Sequence, residues 1–130
     1  MKNLALIFAA VAALAGCAKV DKTPTPPAYV QLYPGAAQVK IEAVDLWTTE
    51  SFTSSASQDD VIAFYRAQAK ASGIPEDASA APSPYAQPNA KDVTFNDPAT
   101  GRMFKVGAWP VSSGGPLSVV LQWKTPGATQ

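Results

Sequence analysis

One thiol and no imidazole limit the chemistry this chain can do. Cys17 is the only cysteine and histidine is absent, which removes the commonest general base and the commonest metal ligand. Ser112-Ser113-Gly114-Gly115 sets hydroxyls beside pliant backbone. A serine nucleophile needs an adjacent base, however, and Lys105 or Lys124 would have to be buried nearby to serve. The run reads as a turn. Asp59 and Asp60 are neighbours at a helix start, where successive side chains point about 100° apart. They are poorly placed to share a proton or a metal, and the helix dipole accounts for them. Glu76 and Asp77 fall in a loop and read as solvated. Asp97 to Gly101 offers one carboxylate, against the roughly six to eight oxygens that calcium takes. These readings predict no catalytic residue, no metal site and no cofactor. Trp47, Trp109, Trp123 and Tyr85 remain. Trp123 reads as core. Trp109, at a strand end before Pro110, and Tyr85 are the candidate partner contacts, because an exposed aromatic at a sheet rim can hold glycan, peptide or protein. An open sheet edge could also accept a partner strand.

The context of Cys17 is more telling than its count. Met1-Lys2-Asn3 carries one positive charge. Leu4 to Leu14 (LALIFAAVAAL) is uncharged, and small residues follow it. Basic start, apolar middle and small-residue end are the parts of an export leader, predicted here as a helix over residues 1–16. A membrane span is the weaker reading. Helical residues rise ~1.5 Å each, so this run covers about half of a ~30 Å hydrocarbon core, and Lys19, Asp21 and Lys22 then stop it.

Leu14-Ala15-Gly16-Cys17 resembles the lipobox of bacterial lipoproteins. The resemblance implies that the Cys17 thiol receives a diacylglyceryl group, with palmitate-like chains. It also implies that a membrane-embedded aspartic peptidase cuts between Gly16 and Cys17, and that the new amine can take a third chain. Leu14, Ala15 and Gly16 would be the residues that peptidase recognises. Acylation consumes the thiol, which explains an unpaired cysteine in an exported chain. Two or three acyl chains anchor durably, at ~0.8 kcal/mol per buried methylene. Ala18 follows the modified cysteine, and by the same resemblance a residue other than aspartate there favours the outer membrane, facing the periplasm.

Composition supports one domain on a tether. Lys and Arg number 10 and Asp and Glu 10, so loss of Lys2 with the leader leaves a net side-chain charge of −1. Such a balance provides no field to draw nucleic acid. Residues 17–27 are polar and proline-rich and are predicted to form an extended tether. Residues 28–125 form the domain, with a Pro/Ala/Ser-rich loop at 75–90, and residues 126–130 a flexible tail.

The elements that must position the aromatics follow from periodicity. Tyr29 to Gly35 ends in a Pro34-Gly35 turn, and Tyr29, Leu32 and Tyr33 are predicted to cover one edge of the core. Val39, Ile41 and Ala43 alternate with Lys40 and Glu42, the pattern of a half-buried strand. The parity changes at Val44 and Leu46, which predicts a bulge or bend near Ala43 to Asp45 before strand resumes over Trp47 to Thr53. Ser57 to Gly73 is the clearest helix. Ser57 and Asp60 resemble a capping box, Val61, Ile62, Phe64, Tyr65, Gln68 and Ala69 form the apolar stripe, and Gly73 ends it. Lys91 to Asn96, Arg102 to Trp109 and Leu117 to Trp123 read as three further strands joined by tight turns.

These elements predict an α+β fold: one helix on an antiparallel sheet of four to five strands, in the order β-(β)-α-β-β-β. Residues 33–73, with YPGA, a Thr/Ser-rich strand and Asp-Asp-Val-Ile-Ala-Phe-Tyr-Arg, resemble small uncharacterised envelope lipoprotein domains. The expected function is that of a lipid-anchored envelope protein whose domain is a non-catalytic binding or structural module. Its partners would be the membrane, other envelope proteins or peptidoglycan. The alternatives are an accessory factor or inhibitor of an envelope enzyme, and a carboxylate-based hydrolase.

Overall fold

A computed structural model describes residues 24–80 and 87–125. The leader, the Leu14 to Cys17 motif, Tyr85 and the 126–130 tail lie outside the described residues. Among those described, no helix is long and apolar enough to cross a membrane.

Among the described residues the fold is α+β, with one helix and a five-stranded antiparallel sheet. The elements are β1 (Ala37–Val44), β2 (Trp47–Ser54), α1 (Gln58–Ala71), β3 (Lys91–Asp97), β4 (Arg102–Pro110) and β5 (Leu117–Lys124). The sheet order is β1-β2-β5-β4-β3. The last strand in the chain therefore sits at the centre, joining the β1–β2 hairpin to the β3–β4 hairpin.

The parity change read as a bulge near Ala43 to Asp45 is instead a two-residue hairpin turn. Val44 pairs with Trp47, and Asp45 takes φ +55, a left-handed conformation that aspartate tolerates better than most residues. The irregular register lies earlier, between Ala37 and Lys40. β1 is also less buried than its alternation predicted. Val39 is 43% exposed, Ala43 is exposed and Ile41 half-buried, because β1 is an outer strand and α1 packs on β4 and β3.

Both ends of α1 follow the sequence. The Ser57 hydroxyl accepts from the Asp60 N–H at 3.1 Å. At the other end Ile74 N donates to Ala69 O at 2.8 Å and Gly73 N to Lys70 O at 3.1 Å. These two bonds make a Schellman closure, and Gly73 takes φ +72 to permit it. Val61, Ile62, Tyr65 and Ala69 are its buried residues, while Phe64 and Gln68 are half-buried at the stripe's margin.

The core lies between α1 and one face of the sheet. Phe104 is its hub, with ring centroids 4.8 Å from Phe95 and 6.4 Å from Tyr65. The chain before β1 completes it. Val30 is 2% exposed, Tyr29 lies 6.0 Å from Phe104, and Tyr33 meets Phe64 edge-on at 5.0 Å. Tyr65 Oη donates to Gln31 O at 2.9 Å. Leu32, predicted to cover the core, is 44% exposed. Val30 takes that place, since the turn at Ala28–Tyr29 aims it inward. Glu76 and Asp77 are also more engaged than expected. Glu76 receives both Arg66 Nε and Nη2, at 3.1 and 3.0 Å. The backbone of residues 75–77 runs along the outer edge of β3, through Asn96 N to Pro75 O (2.9 Å) and Asp77 N to Thr94 O (2.8 Å).

Candidate functional site

Among the described residues, the face of the sheet away from α1 carries no helix, and strand register decides what stands on it. Side chains paired across antiparallel strands share a face. One row therefore runs Val44, Trp47, Lys124 and Met103, and the next Glu42, Thr49, Gln122, Lys105 and Thr94. A third runs Lys40, Ser51, Val120, Gly107 and Asp92, and a fourth holds Thr53, Ser118 and Trp109. The two faces differ in kind. Phe52, Val119, Leu121, Val106 and Phe104 fill the helix-covered side, whereas the open side is mostly Thr, Ser, Lys and Gln with two indoles.

Those indoles bound a cleft of about 490 Å³ lined by Glu42, Val44, Asp45, Trp47, Thr49, Gln87, Trp109, Val120 and Gln122. Trp47 opens β2 directly after the Asp45-Leu46 turn, and the Lys105 ammonium stands 5.8 Å from its ring centroid, a cation–π arrangement. Trp109 sits near the end of β4 and leans back along its own strand. Gly107 makes room for it: a Cβ there would lie 3.8 Å from Trp109 Cζ3 and only 2.6 Å from Asp92 Oδ1. An alanine at 107 would force the Asp92 carboxylate to move and would touch the Trp109 ring at ordinary contact distance. Gln122 is nearly buried on the floor, and Glu42 and Asp45 are exposed at the rim.

The structure thus places Trp109, one of the two predicted contact residues, half-buried in a cleft rather than at a free rim. Tyr85 lies outside the described residues, and Gln87, two positions on, lines the cleft. Trp123 is core, fully buried. Trp47 was missed as a site residue. Its parity is that of Thr49 and Ser51, opposite to Phe52, and this was the available signal. Ser112 to Gly115 forms the β4–β5 turn, with Gly114 at φ +74. Asp59 pairs with Lys91, and Asp97 accepts from Thr100 and Arg102, which hold its carboxyl below the usual range.

One carboxylate has no counterpart in the sequence reading. Glu50 is 2% exposed on the helix-covered face, and burial pushes its carboxyl above the ordinary range. Its Oε1 and the Nε1 of Trp123 are buried and have no hydrogen-bond partner among the described residues. Glu50 pairs with Leu121 and Thr48 with Trp123, so the two orphaned groups belong to adjacent rows of one face. Burial, with Glu50 nearby, also raises the Tyr65 hydroxyl. Glu50 faces away from the cleft and cannot act in it.

A cavity of about 570 Å³ lies at the end of α1, lined by Arg66, Lys70, Ile74, Glu76 and Phe95 among others. Arg66 and Glu76, its principal charges, are spent on each other. Among the described residues, no three of His, Cys, Asp and Glu gather where a metal could bind. The cleft between the tryptophans is the better candidate because it joins two aromatic surfaces to uncommitted polar groups. No protein-family model, no curated protein and no solved structure matches this chain.

Proposed function

We propose that this chain is a lipid-anchored protein of the bacterial cell envelope, held at Cys17, and that its domain binds a ligand on the open sheet face without transforming it. The binding half of this reading rests on the cleft that Trp47 and Trp109 bound. The anchoring half rests on Leu14-Ala15-Gly16-Cys17 after its apolar leader, and Ala18 favours the outer membrane and the periplasmic side.

Cleft chemistry favours a glycan, and in the envelope that means peptidoglycan. Indole faces pack against the C–H faces of sugar rings, while Glu42, Thr49, Gln87 and Gln122 supply acceptors and donors for hydroxyl and amide groups. The lining includes two carboxylates, Glu42 and Asp45, against the one ammonium of Lys105 beside Trp47, a balance that disfavours a polyanion. The test is co-sedimentation of the full chain with insoluble peptidoglycan, with tryptophan fluorescence read against soluble fragments. The expected result is binding that Trp47→Ala and Trp109→Ala each abolish. A chain that stays in the supernatant, or binds equally without either indole, overturns the binding half. The anchor is tested separately. Labelled fatty acid should enter the wild type, and Cys17→Ser should remain an unacylated, uncut precursor.

One observation favours a second reading, a carboxylate-based hydrolase: Glu42 and Asp45 line the same cleft. In that case the sedimented peptidoglycan would release soluble fragments, and Glu42→Gln would bind it without releasing them.

A further inference from the structure

β1 is an outer strand, and among the described residues no strand pairs with its far side. The other outer strand, β3, is covered along part of its length by residues 75–77. Nothing comparable covers β1 among the described residues, and seven of its eight residues are exposed. A long open edge of this kind is a template for strand addition.

The β1–β2 hairpin fixes which backbone groups point outward. A two-residue loop closes on a hydrogen-bonded pair, here Val44 and Trp47. Alternation then directs the backbone groups of Val44, Glu42 and Lys40 toward β2. Those of Ala43, Ile41 and Val39 are directed outward. A second copy joining antiparallel about a twofold axis must match outward residues with outward residues. An axis at Lys40 would set Lys40 against Lys40, and an axis at Glu42 would set Glu42 against Glu42. An axis at Ala43 would leave both charges facing apolar residues. An axis at Ile41 sets Lys40 of each copy opposite Glu42 of the other, with Ile41 against Ile41 and Val39 against Ala43. Only this register turns both charges into cross-strand ion pairs.

We propose that β1 is a self-association surface: two copies of this chain join edge to edge about a twofold axis at Ile41, each Lys40 on the partner's Glu42. The register slip between Ala37 and Lys40 bends the strand and confines the shared stretch to Val39–Ala43. The axis stands perpendicular to the sheet, so both clefts open on the same side. Because Glu42 lines the cleft, pairing brings the partner's Lys40 to its rim. Each copy thereby contributes a cation to the other's site. The inference needs neither the anchor nor the glycan.

Sedimentation velocity over a concentration series, on the full chain in mild detergent, tests it. The wild type should show a monomer–dimer equilibrium. Lys40→Glu and Glu42→Lys should each weaken the dimer about tenfold, since either change replaces both ion pairs with like charges. The double variant Lys40→Glu/Glu42→Lys should recover the wild-type dimer, and its recovery also shows that the changes leave the fold intact. A wild type that stays monomeric throughout overturns the proposal. So do single variants that dimerise normally, and so does a double variant that fails to recover.

Discussion

The two faces of this sheet are built from the same strands, often from adjacent residues, yet they follow different rules. On the covered face, Phe104, Phe95, Val119, Leu121 and Trp123 exclude water together, and each is at most 1% exposed. On the open face, Trp47 and Trp109 are separated by Thr, Ser, Val and Gln and remain half-buried. Trp123 and Trp109 are the same residue type on neighbouring strands, and only parity distinguishes them. The covered face stores stability. The open face carries little of it, so its side chains are free to be selected for contact with something else.

That contrast can be broken most severely at Trp123. Trp123→Ala should destabilise the domain by about 3–5 kcal/mol in denaturant titration, the usual range for a buried aromatic. A loss no larger than that of an open-face variant would remove the distinction. Glu50 tests whether the covered face tolerates charge. Its carboxyl is raised in the folded state by burial, so the folded chain holds the proton more tightly than the unfolded one. Stability is then full below the ordinary carboxylate range and falls as pH rises toward the folded value. Glu50→Gln should flatten that slope and stabilise the domain at neutral pH, and Glu50→Leu should also be tolerated, since both remove a buried acid whose Oε1 has no partner among the described residues. A wild-type stability that rises through the same interval would contradict the assignment.

Smaller effects sharpen the comparison. Ser57→Ala removes the cap of the helix that covers the inner face, and should lower stability by about 1 kcal/mol. Trp109→Ala on the open face should alter stability least, by about 0.5 kcal/mol, while abolishing capture by peptidoglycan. If Trp109→Ala instead unfolds the domain, the open face is structural and the cleft is not a site.

Much of this architecture is legible from local signals. The helix announces itself through Ser57, Asp60 and Gly73, and the β3–β4 and β4–β5 turns through Asp97 to Gly101 and Ser112 to Gly115. What is not legible is whatever depends on which strand lies alongside. Val39, Ile41 and Ala43 alternate as well as Leu117, Val119 and Leu121 do, yet the first set lies on an outer strand and the second at the centre. Sequence distance carries no record of β5 inserting between β2 and β4. The same gap hid the cleft, because Trp47 and Trp109 meet only through that insertion. Glu50 was concealed differently. Its parity with Phe52 is visible, but Thr48 and Ser54 on the same face give that set no apolar signature.

Strand order also governs when the domain can exist during synthesis. β5 is made last and lies in the middle, so the two hairpins have no shared partner until residue 124 has left the ribosome. A truncated chain would hold two unjoined ribbons, neither wide enough to bury Phe104 or Phe52. Nascent protein of this design stays open until β5 has emerged, and its unpaired ribbon edges are exposed until then.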